Sequence, residues 1–316
     1  MRVKEIAAGV FYLPLRIANV YFVGERGGTW ALVDTGMPGD GSKIREAAES
    51  VYGIGVPPSA IYLTHGHTDH SGSALELASL WGVQIFAHAL EIPYLTGKSG
   101  YPPLDSTVGG FLGLLNRFFQ PALVDLQNSV RTLPSGSGAG GLAGWEWVHT
   151  PGHSPGHVAF FRKQDWTLLA GDAVTTMNLD SFLATVSKMK RVCGPPSSST
   201  YDWTQAAESV RKLAELRPVT LACGHGTPMS GGDAVMQLGE LASHLPLPQR
   251  GRYTSTPAVT DENGIVSLPP KPEDPVPGAA LGLGIIATGA LVALAAWHRK
   301  KKATGAATAD TPAQAS

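Results

Sequence analysis

Thr64-His65-Gly66-His67-Thr68-Asp69-His70 is the stretch whose reading decides the fold. Three histidines and a carboxylate fall within positions 65 to 70. A chain rarely buries four such groups together without a cation to pair them, because unpaired buried polar groups cost free energy. The apolar run Ala60-Ile61-Tyr62-Leu63 ahead of the cluster reads as a strand, and Ser73 to Leu80 behind it reads as a helix. The cluster therefore sits on a strand-to-helix loop, where irregular backbone lets side chains converge. Imidazole and carboxylate together suit zinc or another borderline divalent ion.

This string resembles the His-x-His-x-Asp-His signature of the metallo-β-lactamase superfamily. The family pattern asks for three later ligands at strand ends: a His after Pro-Gly, an Asp after Gly, and a His near the end of the domain. The sequence supplies Thr150-Pro151-Gly152-His153, Leu168-Leu169-Ala170-Gly171-Asp172 and Leu221-Ala222-Cys223-Gly224-His225, in that order. Upstream, Ala31-Leu32-Val33-Asp34-Thr35-Gly36 matches the segment whose Asp supports the metal site from behind its ligands. The resemblance covers about residues 10–245. It implies an α/β (α+β) fold, the αββα sandwich, in which two mixed sheets stack with helices outside and metal loops line one edge.

The same resemblance implies the site. His65, His67 and His153 would hold one metal, Asp69, His70 and His225 the second, and Asp172 would bridge them. Asp69 counts as both ligand and catalytic carboxylate. The cofactor implied is zinc, two ions per chain, with iron or manganese as alternatives. Such a pair lowers the pKa of a shared water and polarises a carbonyl, so no Ser or Cys nucleophile is needed. The function implied is a binuclear hydrolase using a metal-bound hydroxide on a small-molecule ester, thioester or lactone, resembling hydroxyacylglutathione hydrolase.

Asp172 disfavours a true β-lactamase, whose pattern generally lacks the bridging carboxylate. The segment between His225 and the Pro-rich stretch at 268–277 departs from the basic helical extension with which glyoxalase II holds glutathione, which weakens that label. His67 stands where flavo-diiron proteins carry Glu. Two other classes stay open: a mono-iron persulfide dioxygenase-like oxidoreductase, and a membrane-tethered metal-binding protein without turnover.

The remaining composition bounds the reading. The 316 residues are 43% hydrophobic with 38 glycines, which fits a globular α/β protein rich in turns. A formal charge of −1 gives no reason to expect nucleic acid as a partner. Homo-oligomers remain open. Cys193 and Cys223 sit in no metal or redox spacing and read as small buried hydrophobes. Gly136-Ser137-Gly138-Ala139-Gly140-Gly141 formally matches a dinucleotide fingerprint, but no strand leads in and no helix follows, so it reads as a loop.

Residues 1–250 form the predicted hydrolase domain, with an insert over 90–145. In the insert, Phe111, Leu112, Leu114, Leu115, Phe118 and Phe119 recur at helical spacing. That face either packs on the domain or walls the metal site to receive an acyl group. Residues 251–277 read as a Pro-rich linker. Gly278 to Trp297 is uncharged for twenty residues, long enough to cross a hydrocarbon core as a single helix. His298-Arg299-Lys300-Lys301-Lys302 follows as a basic stop, ahead of a low-complexity tail to 316. The positive-inside rule puts that stop in the cytoplasm, whereas the lack of an export signal favours a cytoplasmic catalytic domain. The balance tilts to the cytoplasmic face.

Overall fold

Strand alternation builds the layers of this protein. In β2 (Val10–Pro14), Phe11 and Leu13 point one way while Val10 and Tyr12 point the other, and all four are buried. A strand buried on both faces belongs to the middle of a layered structure. The computed structural model describes residues 3–118, 123–134 and 142–273. The 136–141 glycine run, Phe119, the 278–297 span and the tail after it lie outside the described residues.

A seven-stranded sheet runs in chain order from β1 (Lys4–Ala7) through β2, β3 (Asn19–Val23), β4 (Ala31–Val33), β5 (Ile61–Tyr62) and β6 (Ile85–Ala87) to β7 (Val130–Thr132). Hairpins make its first four strands antiparallel. Helical crossovers make the rest parallel. These crossovers are α1 (Gly41–Tyr52), between β4 and β5, then α2 (Thr68–Ser71) and α3 (Ala74–Trp81), between β5 and β6. A second sheet has the order β12 (Met229–Ser230), β11 (Thr220–Ala222), β10 (Thr167–Leu169), β9 (Val158–Arg162) and β8 (Glu146–His149).

Three apolar layers follow from this order. Phe11, Leu13, Phe22 and Leu32 meet Ile44 and Ala48 of α1 and Leu77 of α3. Val10, Tyr12, Tyr21 and Tyr62 meet Phe160, Leu169 and Ala222 of the second sheet. The far face of that sheet, through Phe161, Leu168 and Leu221, packs on α7 (Trp203–Glu215) and α8 (Gly232–Ser243). Helix α7 starts where the Asp202 side chain accepts the Gln205 N–H at 2.9 Å, and buries Trp203, Ala206, Val210 and Leu213. It ends at Leu216, two residues before Pro218. The result is the helix–sheet–sheet–helix sandwich.

The insert contributes more to the frame than its sequence suggests. It holds the short helices α4 (Ile92–Leu95) and α5 (Gly110–Leu115), and it also contains β7, the edge strand of the first sheet. Beyond it, α6 (Phe182–Ser187) lies on the segment after Asp172. The described residues up to Pro272 fall in one compact unit. Within 251–273, β13 (Val259–Asp261) and β14 (Gly264–Ser267) form a hairpin instead of plain linker. It is tied down by Ala258 N–H donating to the Tyr201 carbonyl at 3.0 Å and Lys98 Nζ donating to Asn263 Oδ1 at 2.6 Å. No helix among the described residues is long and apolar enough to cross a membrane.

His88 and His149 stack face to face with ring centroids 4.2 Å apart. Burial, then the neighbouring His149, pulls His88 down from 6.5 to about 4. An unfolded chain takes up this proton near pH 6.5, while the folded one resists it until about pH 4. Stability from this pair is thus fully present above pH 6.5 and lost as pH falls toward 4. His88→Asn keeps an acceptor for the Leu90 N–H and removes the titration. The drop in urea midpoint between pH 7 and pH 5 is expected to be smaller in this variant than in the parent, and an equal drop would refute the assignment.

Candidate metal centre

Four loops leaving the same edge of the two sheets bring the predicted residues together. His65 and His67 follow β5, while Asp69 and His70 lie on the one-turn α2. His153 follows β8, Asp172 follows β10 and His225 follows β11. His65, His67, His70, His153, Asp172 and His225 are buried, and Asp69 is partly exposed.

Three ring nitrogens converge first. His65 Nε2 lies 3.0 Å from His67 Nδ1, which lies 3.0 Å from His153 Nε2, and the third side is 3.2 Å. Hydrogen bonds cannot satisfy three mutually close imidazole lone pairs, but one cation can. The second group places Asp69 Oδ2 3.4 Å from His225 Nε2 and 3.7 Å from His70 Nε2. Asp172 faces both groups: Oδ2 is 3.1 Å from His225 Nε2 and 3.6 Å from His153 Nε2, and Oδ1 is 3.5 Å from His70 Nε2. His70 Nε2 and Asp172 Oδ1 are buried without a hydrogen-bond partner. Two such orphans aimed into one cluster fit divalent cations. His153 Nδ1 is also buried without a partner, and the cluster does not explain it.

Groups behind the ligands fix which nitrogen faces inward. Asp34 Oδ2 takes the His70 Nδ1 proton at 2.8 Å, and its two oxygens also accept from the Thr64 N–H and hydroxyl. The Thr64 oxygen then accepts from His65 Nδ1 at 3.0 Å, which leaves Nε2 bare. His225 Nδ1 donates to the Ile17 carbonyl at 3.0 Å. His67 reverses the pattern: Nδ1 faces the cluster, and Nε2 meets the Tyr201 hydroxyl at 3.3 Å. Orienting partners of this kind keep imidazole basic and aimed at a metal.

The electrostatics divide the histidines along the same line. Burial, reinforced by neighbouring histidines, keeps His65 and His153 well below the usual range, and burial takes His67 to about 4. Their lone pairs are therefore free at neutral pH. Burial opposes charge on His225 too, but Asp172 and Asp69 overcome it and raise the ring to about 10. Asp172, Asp69 and Asp34 likewise raise His70 against burial. The carboxylates thus favour positive charge on the His70 and His225 side of the cluster, and burial disfavours it on the His65, His67 and His153 side.

Several residues that matter here carry no motif. Asn19 Nδ2 donates to the Cys223 and Gly226 carbonyls at 2.9 and 2.6 Å, and Tyr21 Oη donates to Cys223 at 2.6 Å. The first sheet thereby grips the His225 loop of the second. His157 accepts the Asp172 N–H at 2.9 Å through Nε2 and bonds Thr150 through Nδ1. Glu91, fully buried in a short 3-10 turn, collects the N–H of Gly66 at 2.8 Å, the N–H of Gly156 at 2.7 Å and the Ser154 hydroxyl at 2.8 Å. The Tyr101 hydroxyl also donates to it. One carboxylate thus staples the His67 loop to the His153 loop.

Gly224 shows how tightly the cluster is enclosed. A Cβ at this position would run into the Asp172 carboxylate and the His70 ring. Gly224→Ala is therefore expected to lose most of its metal while keeping its far-UV circular dichroism. Full metal content in that variant, measured by mass spectrometry of the purified chain, would show that the carboxylate has room to move.

A double-sheet sandwich with a seven-residue His/Asp cluster on one edge defines the class as a metallo-hydrolase fold. The chain belongs to the metallo-beta-lactamase superfamily, whose family model matches residues 13–225. It is 39% identical over 244 residues to the probable metallo-hydrolase YflN of Bacillus subtilis, covering 76% of this chain and 92% of that one. It is 24% identical over 151 residues to the hydroxyacylglutathione hydrolase GloC of Haemophilus influenzae, covering 46% and 60%. Among solved structures, TTHA1623 in a di-iron-bound form shares the fold, with a TM-score of 0.51, 24% identity, and coverage of 74% of this chain and 97% of that one.

Proposed function

We propose that the protein is a dinuclear metal-dependent hydrolase of small carboxylic esters, thioesters or lactones. The observation that carries this reading is the Asp172 carboxylate, whose oxygens lie within 3.6 Å of the inward nitrogens of His153, His70 and His225, drawn from both groups. The similarity to a hydroxyacylglutathione hydrolase supports an acyl substrate. When bound, two divalent cations supply Lewis acidity and lower the pKa of a shared water from about 15.7 toward neutrality.

The chain's own residues do the rest. His65, His67 and His153 offer three nitrogens to one cation, and Asp69, His70 and His225 offer a carboxylate and two nitrogens to the other. Asp172 holds the two sets together, and His157 fixes its backbone. Tyr201 is buried against His67, and burial keeps its hydroxyl protonated. It accepts from His67 Nε2 and so keeps its own proton for an oxygen of the substrate.

The test is metal content of the full chain purified in detergent, paired with a panel of thioesters, lactones and aryl esters. About two zinc per chain, with turnover lost on His67→Ala, is the expected result. About one iron per chain, with oxygen uptake on a persulfide, would replace this reading with the dioxygenase. We also propose that residues 278–297 anchor the protein in a membrane with the catalytic domain on the cytoplasmic side. Extraction by detergent but not by carbonate, and protease cleavage of the domain only after the cytoplasmic face is opened, are the expected signs.

A further inference from the structure

Helices α5 and α6 carry apolar side chains that the domain does not cover. On α5 and the turn after it, Phe111, Leu114 and Phe118 recur at helical spacing, and Leu114 and Phe118 are 41% and 52% exposed. The Phe111 ring meets Phe182 of α6 edge-on, with centroids 5.1 Å apart, which joins the two helices into one face. On α6, Phe182, Leu183 and Val186 are 50%, 71% and 60% exposed, and Met189 just beyond is 55% exposed. A contiguous exposed apolar face of this kind marks an interaction surface. The spacing that reads as a packed or site-facing helix thus points to solvent at Leu114 and Phe118.

The charge around the face selects its partner. Lys188, Lys190 and Arg191 follow α6 directly and are exposed, and none enters an ion pair among the described residues. Apolar side chains beside unpaired cations suit the boundary between acyl chains and anionic headgroups. A second copy of this chain would bring the same three cations to the interface, a poorer match. The chain beyond residue 273 contains the uncharged stretch 278–297, so a bilayer is the surface it is expected to meet.

We propose that the α5–α6 face docks on an anionic lipid bilayer. The proposal rests on the 278–297 segment for delivery of the chain to lipid, but not on the hydrolase reading. Docking would hold the domain against the membrane in one orientation. The segment leading to α6 also borders the metal centre, since the Thr176 N–H donates to the His225 carbonyl at 3.1 Å.

The test uses the full chain in a Cys193→Ser background, with an environment-sensitive fluorophore on Leu183→Cys and, separately, on Val186→Cys. Lys43→Cys on α1, an exposed position, serves as the control. The vesicles are phosphatidylcholine with a doxyl-labelled lipid as quencher, with and without phosphatidylglycerol. Emission at both α6 positions is expected to fall by about half or more on anionic vesicles, with the control unchanged. The triple variant Lys188→Glu, Lys190→Glu, Arg191→Glu is expected to restore the emission while the chain still floats with the vesicles. Quenching no greater on α6 than at the control, or insensitive to the triple variant, would overturn the proposal. So would failure of the chain to float, or energy transfer between labelled copies in place of quenching. No readout involves turnover, so the result stands apart from the catalytic reading.

Discussion

Asp172→Asn is expected to purify with about one divalent cation or fewer per chain and to lose roughly 10³-fold in ester hydrolysis. Asparagine matches the aspartate in size, so the fold and the His157 bond to the backbone N–H persist. What it removes is the negative charge that meets three histidine nitrogens within 3.6 Å. A dinuclear site without that charge must hold two cations on Asp69 and neutral rings alone. Metal analysis and turnover should therefore fall together. A variant that keeps both cations and most of its activity would show that the carboxylate is not the bridge.

The second large effect concerns folding more than chemistry. Glu91→Ala is expected to lower the unfolding free energy by about 3–5 kcal/mol, because it takes the acceptor from four donors in a dry site, of which the Gly66 N–H keeps the Tyr101 hydroxyl as a second partner. Burial pushes the Glu91 carboxyl upward, and the hydrogen bonds from Tyr101, Ser154, Gly66 and Gly156 pull it back. Tyr101→Phe removes just one of these donors and is expected to cost about 1 kcal/mol. Urea unfolding of both variants gives the comparison. Equal losses would mean that the loops are held by something other than this carboxylate.

The sequence made the sandwich readable where hydrophobic pattern and chain chemistry agree. β2, β3 and β4 are apolar on both faces, and α7 lies between the Asp202 cap and Pro218 with a periodic buried face, so pattern and structure coincide there. The cluster at 65–70 was legible from its residue types, and His153, Asp172 and His225 through the family resemblance that the cluster carries. Glu91 was not, because a lone carboxylate in Ala89-Leu90-Glu91 has no pattern until the fold brings Gly66 and Gly156 to it. β7 was hidden by its brevity, three residues on a sheet edge. The β13–β14 hairpin was hidden by composition: prolines on both sides masked Asn263-Gly264, a turn-forming pair.

The cluster also joins the two sheets. His65, His67, Asp69 and His70 come from the first sheet, while His153, Asp172 and His225 come from the second. Any cation held between them acts as a rivet across the sandwich, and the free energy of binding it adds to that of folding. At a free metal level of about a hundred times the dissociation constant, the gain is about 2.7 kcal/mol. Chelation is then expected to lower the melting temperature as well as the activity. A cell short of metal would hold less of this protein in the folded form, so supply of the ion becomes a control on its abundance.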